Sequence, residues 1–339
     1  MIKRLIALLS TAGLIAAALF VGSSLSGMPE QRGHQAQSVV MASDIPSVAE
    51  SADDQAATGP AGISADAGDR DNATGRWGID RIAVPAAWHV GGSFAPVLVA
   101  VLDTGIASDA PFAHRVVASM DFSGEGTTED THGHGTHMAG TIAAIAPNAN
   151  LLNVKVADGR GRCETDDVAR ALRWAADSGA QIINVSLEVA PSDELEQAVA
   201  YAWERGALVV AAAGNSGSTA PAYPAAYVLA LAVAGTNESD GLAVLSNHGE
   251  WVDIAAPGFK IYAEQPGGEF GYETGTSPAA AHISGVAALL NGIALDSSGN
   301  GSLNDEVRKY LESTADPMAI SGTGSGLVNA AAAVQASRS

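Results

Sequence analysis

The sequence has 339 residues, of which 47% are hydrophobic, and its formal net charge at pH 7 is −20. A chain of this length can bury one large α/β core. The negative charge argues against a nucleic-acid partner, because phosphates would repel the protein, and it favours either solubility or the attraction of cationic peptides and cations.

The N-terminal 23 residues have the features of an export signal. Lys3 and Arg4 precede an uncharged apolar run over residues 5–22. This order is typical of a signal peptide, although the run is also just long enough to cross a membrane. We therefore expect residues 1–23 to be a signal peptide or a membrane anchor. The protein is expected to be exported: secreted, periplasmic, or attached to the outer face of the membrane through residues 5–22.

Residues 24–75 have a different composition. Gly, Ala, Ser and Asp dominate, and residues 28–75 contain no aromatic side chain. Too little apolar surface is present to build a core, so this stretch is predicted to be a disordered acidic linker or a short pro-segment. Residues 76–337 are expected to form the folded domain. That domain contains Cys163, the only cysteine of the chain, which excludes an intrachain disulfide.

Apolar runs alternate with helical patterns from residue 76 onward. The runs cover residues 97–102, 151–156, 181–187, 207–213 and 229–234. Largely apolar runs of this length are typical of strands buried on both faces of a parallel sheet. Helices are predicted between them over residues 165–178 and 192–205. The alternation predicts an α/β fold, a doubly wound three-layer sandwich with a mainly parallel central sheet.

Asp103 and His134 are the first two candidate catalytic residues. Asp103 follows the first apolar run, where active residues collect in such sheets, although Asp before Thr-Gly is also a common turn. His134 lies in a cluster with His132 and His137. Metal-binding helices space histidines at i and i+4, and the glycines here would break such a helix. A metal site is therefore the weaker alternative to a histidine presented at a helix start.

Ser277 and Asn215 are the other two candidates. Ser277 precedes Pro278 and an apolar helical pattern with Ile283, Val286, Leu289 and Leu290 on its buried face, so it is predicted at a helix N-terminus. That position suits a nucleophile whose intermediate carries an oxyanion, although serine is also a common helix cap. Asn215 follows the fourth apolar run, where its amide either donates to an oxyanion or forms a Gly-Asn turn.

The order and wording of these motifs resemble one known family. Asp-Thr-Gly at 103–105, Gly-His-Gly-Thr-His-Met-Ala-Gly at 133–140, Ala-Ala-Gly-Asn at 212–215 and Gly-Thr-Ser at 275–277 are similar to the motifs of subtilisin-like serine peptidases. The resemblance covers nearly all of residues 76–337. It implies a subtilisin-like fold and serine endopeptidase activity.

The resemblance also implies a role for each motif residue. Ser277 would be the nucleophile, His134 the general base, and Asp103 the residue that orients the imidazole, with all three in one hydrogen-bonded row. Asn215 and the Ser277 N–H would form the oxyanion hole. The residues expected to bind substrate are Ser186, Leu187, Glu188, Ala212 and Gly214.

Two of the chain's departures from the family pattern concern substrate binding and calcium. Ser-Leu-Glu-Val at residues 186–189 replaces the frequent Ser-Leu-Gly-Gly, so Glu188 is expected either to make the channel narrower or favourable to cationic side chains, or to face solvent. The calcium-binding loop of many subtilisins is absent at residues 140–147. We therefore assign no metal ligand; catalysis is expected to need no cofactor, and structural calcium stays unassigned.

Two other functions stay open. A tethered, non-catalytic domain with the same fold would hold peptides in its cleft, and a metal-dependent hydrolase would use the histidine cluster. The complete set of Asp103, His134, Asn215 and Ser277 favours the peptidase. We expect it to act as a monomer on protein or peptide substrates.

Overall fold

The structure is a computed structural model that describes residues 39–40 and 76–338. The predicted signal peptide or anchor at residues 1–23 lies outside the described residues, as does nearly all of the predicted linker at residues 24–75. In the part that is described, no helix is both long and apolar enough to cross a membrane.

A sheet of seven strands lies at the centre of the fold. The strands, numbered along the chain, are β1 (Leu98–Asp103), β2 (Val116–Asp121), β3 (Asn150–Lys155), β4 (Ile182–Val185), β5 (Leu208–Ala212), β6 (Ala230–Thr236) and β7 (Ile254–Pro257). Their order in the sheet is β2-β3-β1-β4-β5-β6-β7, and every neighbouring pair is parallel.

The five apolar runs of the sequence correspond to β1, β3, β4, β5 and β6. The sequence pattern does not predict the two edge strands. In β2 the inner residues are exposed, with Val117 at 57% and Met120 at 38%, so no apolar run marks the strand. Strand β7 is buried, but its four residues are too few to stand out as a pattern.

Helices cover both faces of the sheet. They are α1 (Trp77–Arg81), α2 (Val84–Gly91), α3 (His134–Ile145), α4 (Thr165–Asp177), α5 (Asp193–Glu204), α6 (Thr276–Asn291), α7 (Asn304–Ser313) and α8 (Ala330–Ser337). The predicted helices at 165–178 and 192–205 are α4 and α5, and Ser192 caps α5 by accepting a hydrogen bond from the Leu195 N–H.

Two apolar clusters, one on each face of the sheet, join the central sheet to the two layers of helices. Val99 and Val101 of β1 belong to the cluster that contains α3 and α6, whereas Ala100 and Leu102 belong to the cluster that contains α4 and α5. Successive side chains of a strand point to opposite faces, so β1 is buried on both. The predicted α/β sandwich with a central parallel sheet is confirmed.

Helix α6 differs from its sequence-based description. The pattern predicts one buried face, but every residue from Thr276 to Leu290 is buried. The helix packs on the sheet and also contacts α3, α7 and α8. A helix covered on all sides needs small residues where neighbours approach, and Gly285 meets Ile145 of α3 at such a point.

Two antiparallel pairs lie outside the sheet. The strands β8 (Ile261–Gln265) and β9 (Glu269–Glu273) form a ribbon, and β9 leads directly into α6. Val39–Val40, from the predicted linker, pairs with Arg162–Cys163.

The parallel arrangement brings the candidate residues to one edge of the sheet. Asp103 ends β1, Ser186 follows β4, and Gly214 and Asn215 follow β5. The carboxyl ends of parallel strands lie at the same edge, which is where ligands bind in open α/β sheets.

Candidate active site

A buried hydrogen bond joins Asp103 to His134. The His134 Nδ1 atom lies 2.7 Å from Asp103 Oδ1, and the side chains are 2% and 0% exposed. The Thr104 N–H donates to the same carboxylate oxygen at 2.8 Å. Because an ionised carboxylate can only accept, the ring donates through Nδ1, and this leaves Nε2 as the atom that can take or give a proton.

The loop before α3 is held by Asp130. Its carboxylate accepts hydrogen bonds from the N–H groups of Gly133 (2.8 Å) and Thr136 (2.9 Å) and from the hydroxyls of Thr136 (2.6 Å) and Thr104 (2.9 Å). Burial raises the pKa of Asp130, but these hydrogen bonds outweigh burial and lower it. Sequence reasoning did not identify Asp130, although its place four residues before His134 is visible in the sequence.

Asn215 is anchored through its oxygen. Its Oδ1 atom accepts the Thr276 N–H at 2.8 Å and the Thr276 hydroxyl at 3.1 Å. The Thr276 Oγ1 atom in turn accepts the Gly214 N–H at 3.0 Å. These contacts fix the amide so that its Nδ2 group remains to donate. The Ser277 N–H lies in the first turn of α6, where a helix offers its own N–H groups no acceptor.

The Ser277 hydroxyl is turned toward the end of β4. It donates to the Ser186 main-chain oxygen at 3.1 Å, and the Ser186 hydroxyl donates to the Ser277 main-chain oxygen at 3.2 Å. Within the described residues no hydrogen bond joins Ser277 to His134. The expected row is therefore present from Asp103 to His134 and open from His134 to Ser277. A hydroxyl has one hydrogen to donate, and catalytic hydrogen bonds are often open without substrate.

A second carboxylate faces the imidazole. Glu273 Oε2, at the end of β9, lies 3.8 Å from His134 Nε2. Burial by itself lowers the pKa of His134, but the negative charges of Asp103 and then Glu273 raise it to about 9. Sequence reasoning missed Glu273 because no family motif includes it and because only the ribbon brings it to the histidine.

His137 and Cys163 are buried in the fold and have no catalytic or metal-binding role here. His137 is buried, donates from Nε2 to the Ile261 oxygen at 3.0 Å, and has a pKa lowered by burial. Burial raises the pKa of the Cys163 thiol to about 12, so it stays protonated and unreactive at neutral pH. Among residues 76–338, no three His, Cys, Asp or Glu side chains converge as a metal site.

The residues expected to bind substrate lie around the ends of β4 and β5. A Cβ atom on Gly214 would lie 2.8 Å from Glu188 Oε2 and 3.3 Å from Ala222 Cβ, and the glycine has a left-handed φ of +95°. Glu188 is half-buried, and burial raises the pKa of its carboxyl. Ser186, Leu187 and Ala212 are buried.

Comparison with known proteins gives a consistent result. The model of the subtilase family, peptidase family S8, matches residues 95–333. The chain belongs to the subtilase family. It is 42% identical over 270 residues to subtilisin BL of Lederbergia lenta, which covers 76% of this chain and 98% of that protein. It is also 42% identical over 278 residues to thermitase of Thermoactinomyces vulgaris, covering 77% of this chain and 96% of that protein.

The match confirms the family of this subtilase, which the sequence motifs predict. Nothing in its site favours the non-catalytic alternative, because the described side chains retain a buried Asp–His pair, a hydroxyl and an anchored amide at one edge of the sheet.

The close approach of α3 to β1 gives a first prediction for this subtilase. A Cβ atom on Gly135 would collide with the main-chain oxygen of Gly105 and lie 3.1 Å from Asp103 Cβ. We expect Gly135→Ala to push the first turn of α3 away from Asp103. A displacement of about 1 Å in a catalytic group can cost about 10²-fold in rate. The measurement is kcat/KM on a chromogenic peptide, alongside the thermal unfolding midpoint.

Gly140→Ala is the matched control. It lies on the same helix, and its nearest neighbour is the flexible carboxylate end of Glu264. We expect near-normal kcat/KM from this variant. Equal rates for the two variants would show that the approach of α3 to β1 does not set the geometry of the site.

Proposed function

We propose that this subtilase is a serine endopeptidase that hydrolyses peptide bonds through an acyl-enzyme on Ser277. The observation that carries the proposal is the buried 2.7 Å hydrogen bond between Asp103 and His134. It stands at the sheet edge where Asn215 is anchored to the first residue of α6. A histidine oriented by a buried carboxylate beside a serine at a helix N-terminus is the arrangement that nucleophilic acyl transfer requires.

In the first half of the reaction the amine leaves. The Ser277 hydroxyl turns from the Ser186 oxygen, gives its proton to His134 Nε2, and Oγ attacks the carbonyl carbon of the substrate. The Asn215 amide and the Ser277 N–H stabilise the oxyanion. His134 then gives the proton to the nitrogen of the leaving group, and the C–N bond breaks, leaving the ester on Ser277.

In the second half water repeats the sequence. His134 takes a proton from water, the hydroxide oxygen attacks the ester carbonyl, and His134 returns the proton to Ser277 Oγ as the C–O bond breaks. Asp103 stabilises the imidazolium that forms in each half. These steps use side chains and water, so we assign no cofactor to catalysis, and no residue is assigned to structural calcium.

Covalent labelling tests the assignment of the nucleophile. We expect a fluorophosphonate probe to label the wild-type chain and to leave Ser277→Ala unlabelled, because the probe reacts with an activated serine hydroxyl. Labelling is read by mass spectrometry of the modified peptide, and peptide hydrolysis is followed in parallel with and without a chelator.

Ser313→Ala, which removes an exposed hydroxyl at the end of α7, is the control and should label normally. Persistent labelling of Ser277→Ala would refute the assignment. A folded wild-type chain that neither labels nor cleaves would favour the peptide-binding alternative, and hydrolysis abolished by the chelator alone would favour the metal-dependent one.

We further propose that Glu188 favours a cationic side chain on the acyl side of the cleaved bond. In the proposed mechanism the carbonyl oxygen of the cleaved bond lies against the Asn215 amide. The side chain of the substrate residue that carries this carbonyl then extends past the neighbouring Gly214. The Glu188 carboxylate borders that glycine and has no hydrogen bond or ion pair with another described residue. A half-buried carboxylate without a partner is stabilised by a Lys or Arg side chain that reaches it.

Cleavage profiling of a peptide library tests this specificity. We expect Glu188→Gln to reduce kcat/KM for substrates with Lys or Arg before the cleaved bond by about ten- to hundredfold, the range for losing a charge-assisted hydrogen bond of ~1.5–3 kcal/mol. Substrates with uncharged residues there should change little. Glu196→Gln, on the exposed side of α5, removes the same charge elsewhere. An unchanged profile in Glu188→Gln would discard the proposal.

Export is proposed from the sequence of residues 1–23, with a cleaved signal peptide or a retained anchor as the two forms. Lys3 and Arg4 before the apolar run support it. We expect Leu9→Arg, which places a charge within the run, to keep the chain in the cytoplasm. Cell fractionation and N-terminal sequencing are the measurements, and export of the variant at the wild-type level would contradict the proposal. We also propose that the protein is a monomer in solution.

A further inference from the structure

The contact between His134 and Glu273 has no part in the catalytic steps above. Glu273 Oε2 lies 3.8 Å from Nε2, the ring nitrogen that must take the Ser277 proton. The imidazole is 2% exposed and the Glu273 side chain 20%. Charges interact more strongly in such a partly desolvated place than in water, so the carboxylate acts directly on the charge of the ring.

The ribbon fixes the position of Glu273. In the β8–β9 register Glu273 is paired with Ile261, whose main-chain oxygen accepts the His137 Nε2–H at 3.0 Å. His137 lies one turn beyond His134 on α3, so the end of β9 is held beside the first turn of that helix. The Gln265 amide donates to Glu273 Oε1 at 3.5 Å, which leaves Oε2 for the imidazole.

The ionisable groups around His134 are mostly acidic. Asp103 approaches from β1, Asp130 from the loop before α3, and Glu273 from β9, and all three raise the pKa of His134. The His132 ring lies 6.3 Å away between centroids. Burial lowers the pKa of His137 on the same helix, which favours its neutral form. No Lys or Arg within residues 76–338 forms an ion pair with Glu273.

We propose that Glu273 is a positioning residue that holds His134 in its protonated form, with Nε2–H directed at the Glu273 carboxylate, until the proton is lost. The proposal rests on the function of His134 as general base. In the protonated form the ring has no lone pair for the Ser277 hydroxyl, so the serine must donate elsewhere.

The position of Ser277 agrees with this. Its hydroxyl donates to the Ser186 oxygen and not to His134. An imidazolium paired with Asp103 on one nitrogen and Glu273 on the other accounts for both the 3.8 Å contact and the open link to the serine. Loss of the Nε2 proton frees the lone pair, and Ser277 can then turn to the ring.

The consequence is that the charge of Glu273 helps to set the pH range in which His134 can act as a base. A base must be unprotonated, and the pKa of His134 is about 9, so kcat/KM rises as pH increases through about 9 and falls toward neutral pH. Removing the Glu273 charge lowers that pKa. The acid limb of the profile then moves to lower pH.

The experiment compares the wild-type chain with Glu273→Gln, which keeps the shape and removes the charge. We expect the acid limb of kcat/KM on a neutral chromogenic peptide to move down by about one pH unit or more, the shift typical of one opposite charge within 4–6 Å. At pH 7 kcat/KM then rises about tenfold relative to the alkaline plateau. NMR titration of the His134 ring in the free protein should show the same shift, and it does not depend on activity.

Glu269→Gln is the matched control, because it removes the same charge from an exposed position on the same strand. Its acid limb should coincide with that of the wild type. Glu273→Asp keeps the charge but withdraws it, so its limb should lie between those of the wild type and Glu273→Gln; it also provides the test if the Gln variant does not fold.

Two results would separate the hypotheses. A folded Glu273→Gln with an unmoved acid limb and an unmoved His134 titration overturns the proposal for Glu273 and leaves the peptidase intact. A wild-type chain that does not cleave or label refutes the proposed function instead, while the NMR titration still reports whether Glu273 sets the charge of His134.

Discussion

The buried hydrogen bond between Asp103 and His134 is the interaction on which the site depends. A carboxylate without solvent contact must be paired, and its oxygen is shared by the imidazole and the Thr104 N–H. Asp103 stands at the end of β1 and His134 at the start of α3. Helix α3 approaches the end of β1 so closely that there is no room for a side chain at Gly135.

Ser277, the proposed nucleophile, is held by a second set of polar contacts that joins α6 to the sheet. Ser284 donates to the Asn184 oxygen at 2.9 Å, and the Asn184 amide donates to Ser186 Oγ at 2.9 Å. Ser186 and Ser277 exchange hydrogen bonds in turn. Each member of this buried chain has a partner, so it specifies one position of the helix on the sheet. The fixed position of α6 also fixes the first turn of the helix, which Asn215 contacts through Thr276.

The acidic groups around His134 have opposing effects on catalysis. In the proposed mechanism they stabilise the imidazolium that forms in the transition state, and they also stabilise it before the reaction, when it cannot act as a base. In the proposed mechanism Asp103 orients the ring through a hydrogen bond to Nδ1, whereas Glu273 acts at Nε2, where its charge holds the proton. The two carboxylates lie at different nitrogens of one ring, and both raise its pKa.

The sequence by itself determined the fold class, the family and the residue types of the site. Long apolar runs predict buried parallel strands because only strands covered on both faces can be apolar throughout. Each of the four motifs is a short unbroken stretch of sequence, so it can be recognised without the structure. Such local patterns say nothing of exposed β2 or of how completely α6 is buried. The tertiary structure alone decided that Glu273 faces His134 and that Ser277 is turned to Ser186. These contacts join residues distant in the sequence, through ribbon register and helix packing, and no local pattern encodes which side chains such packing brings together.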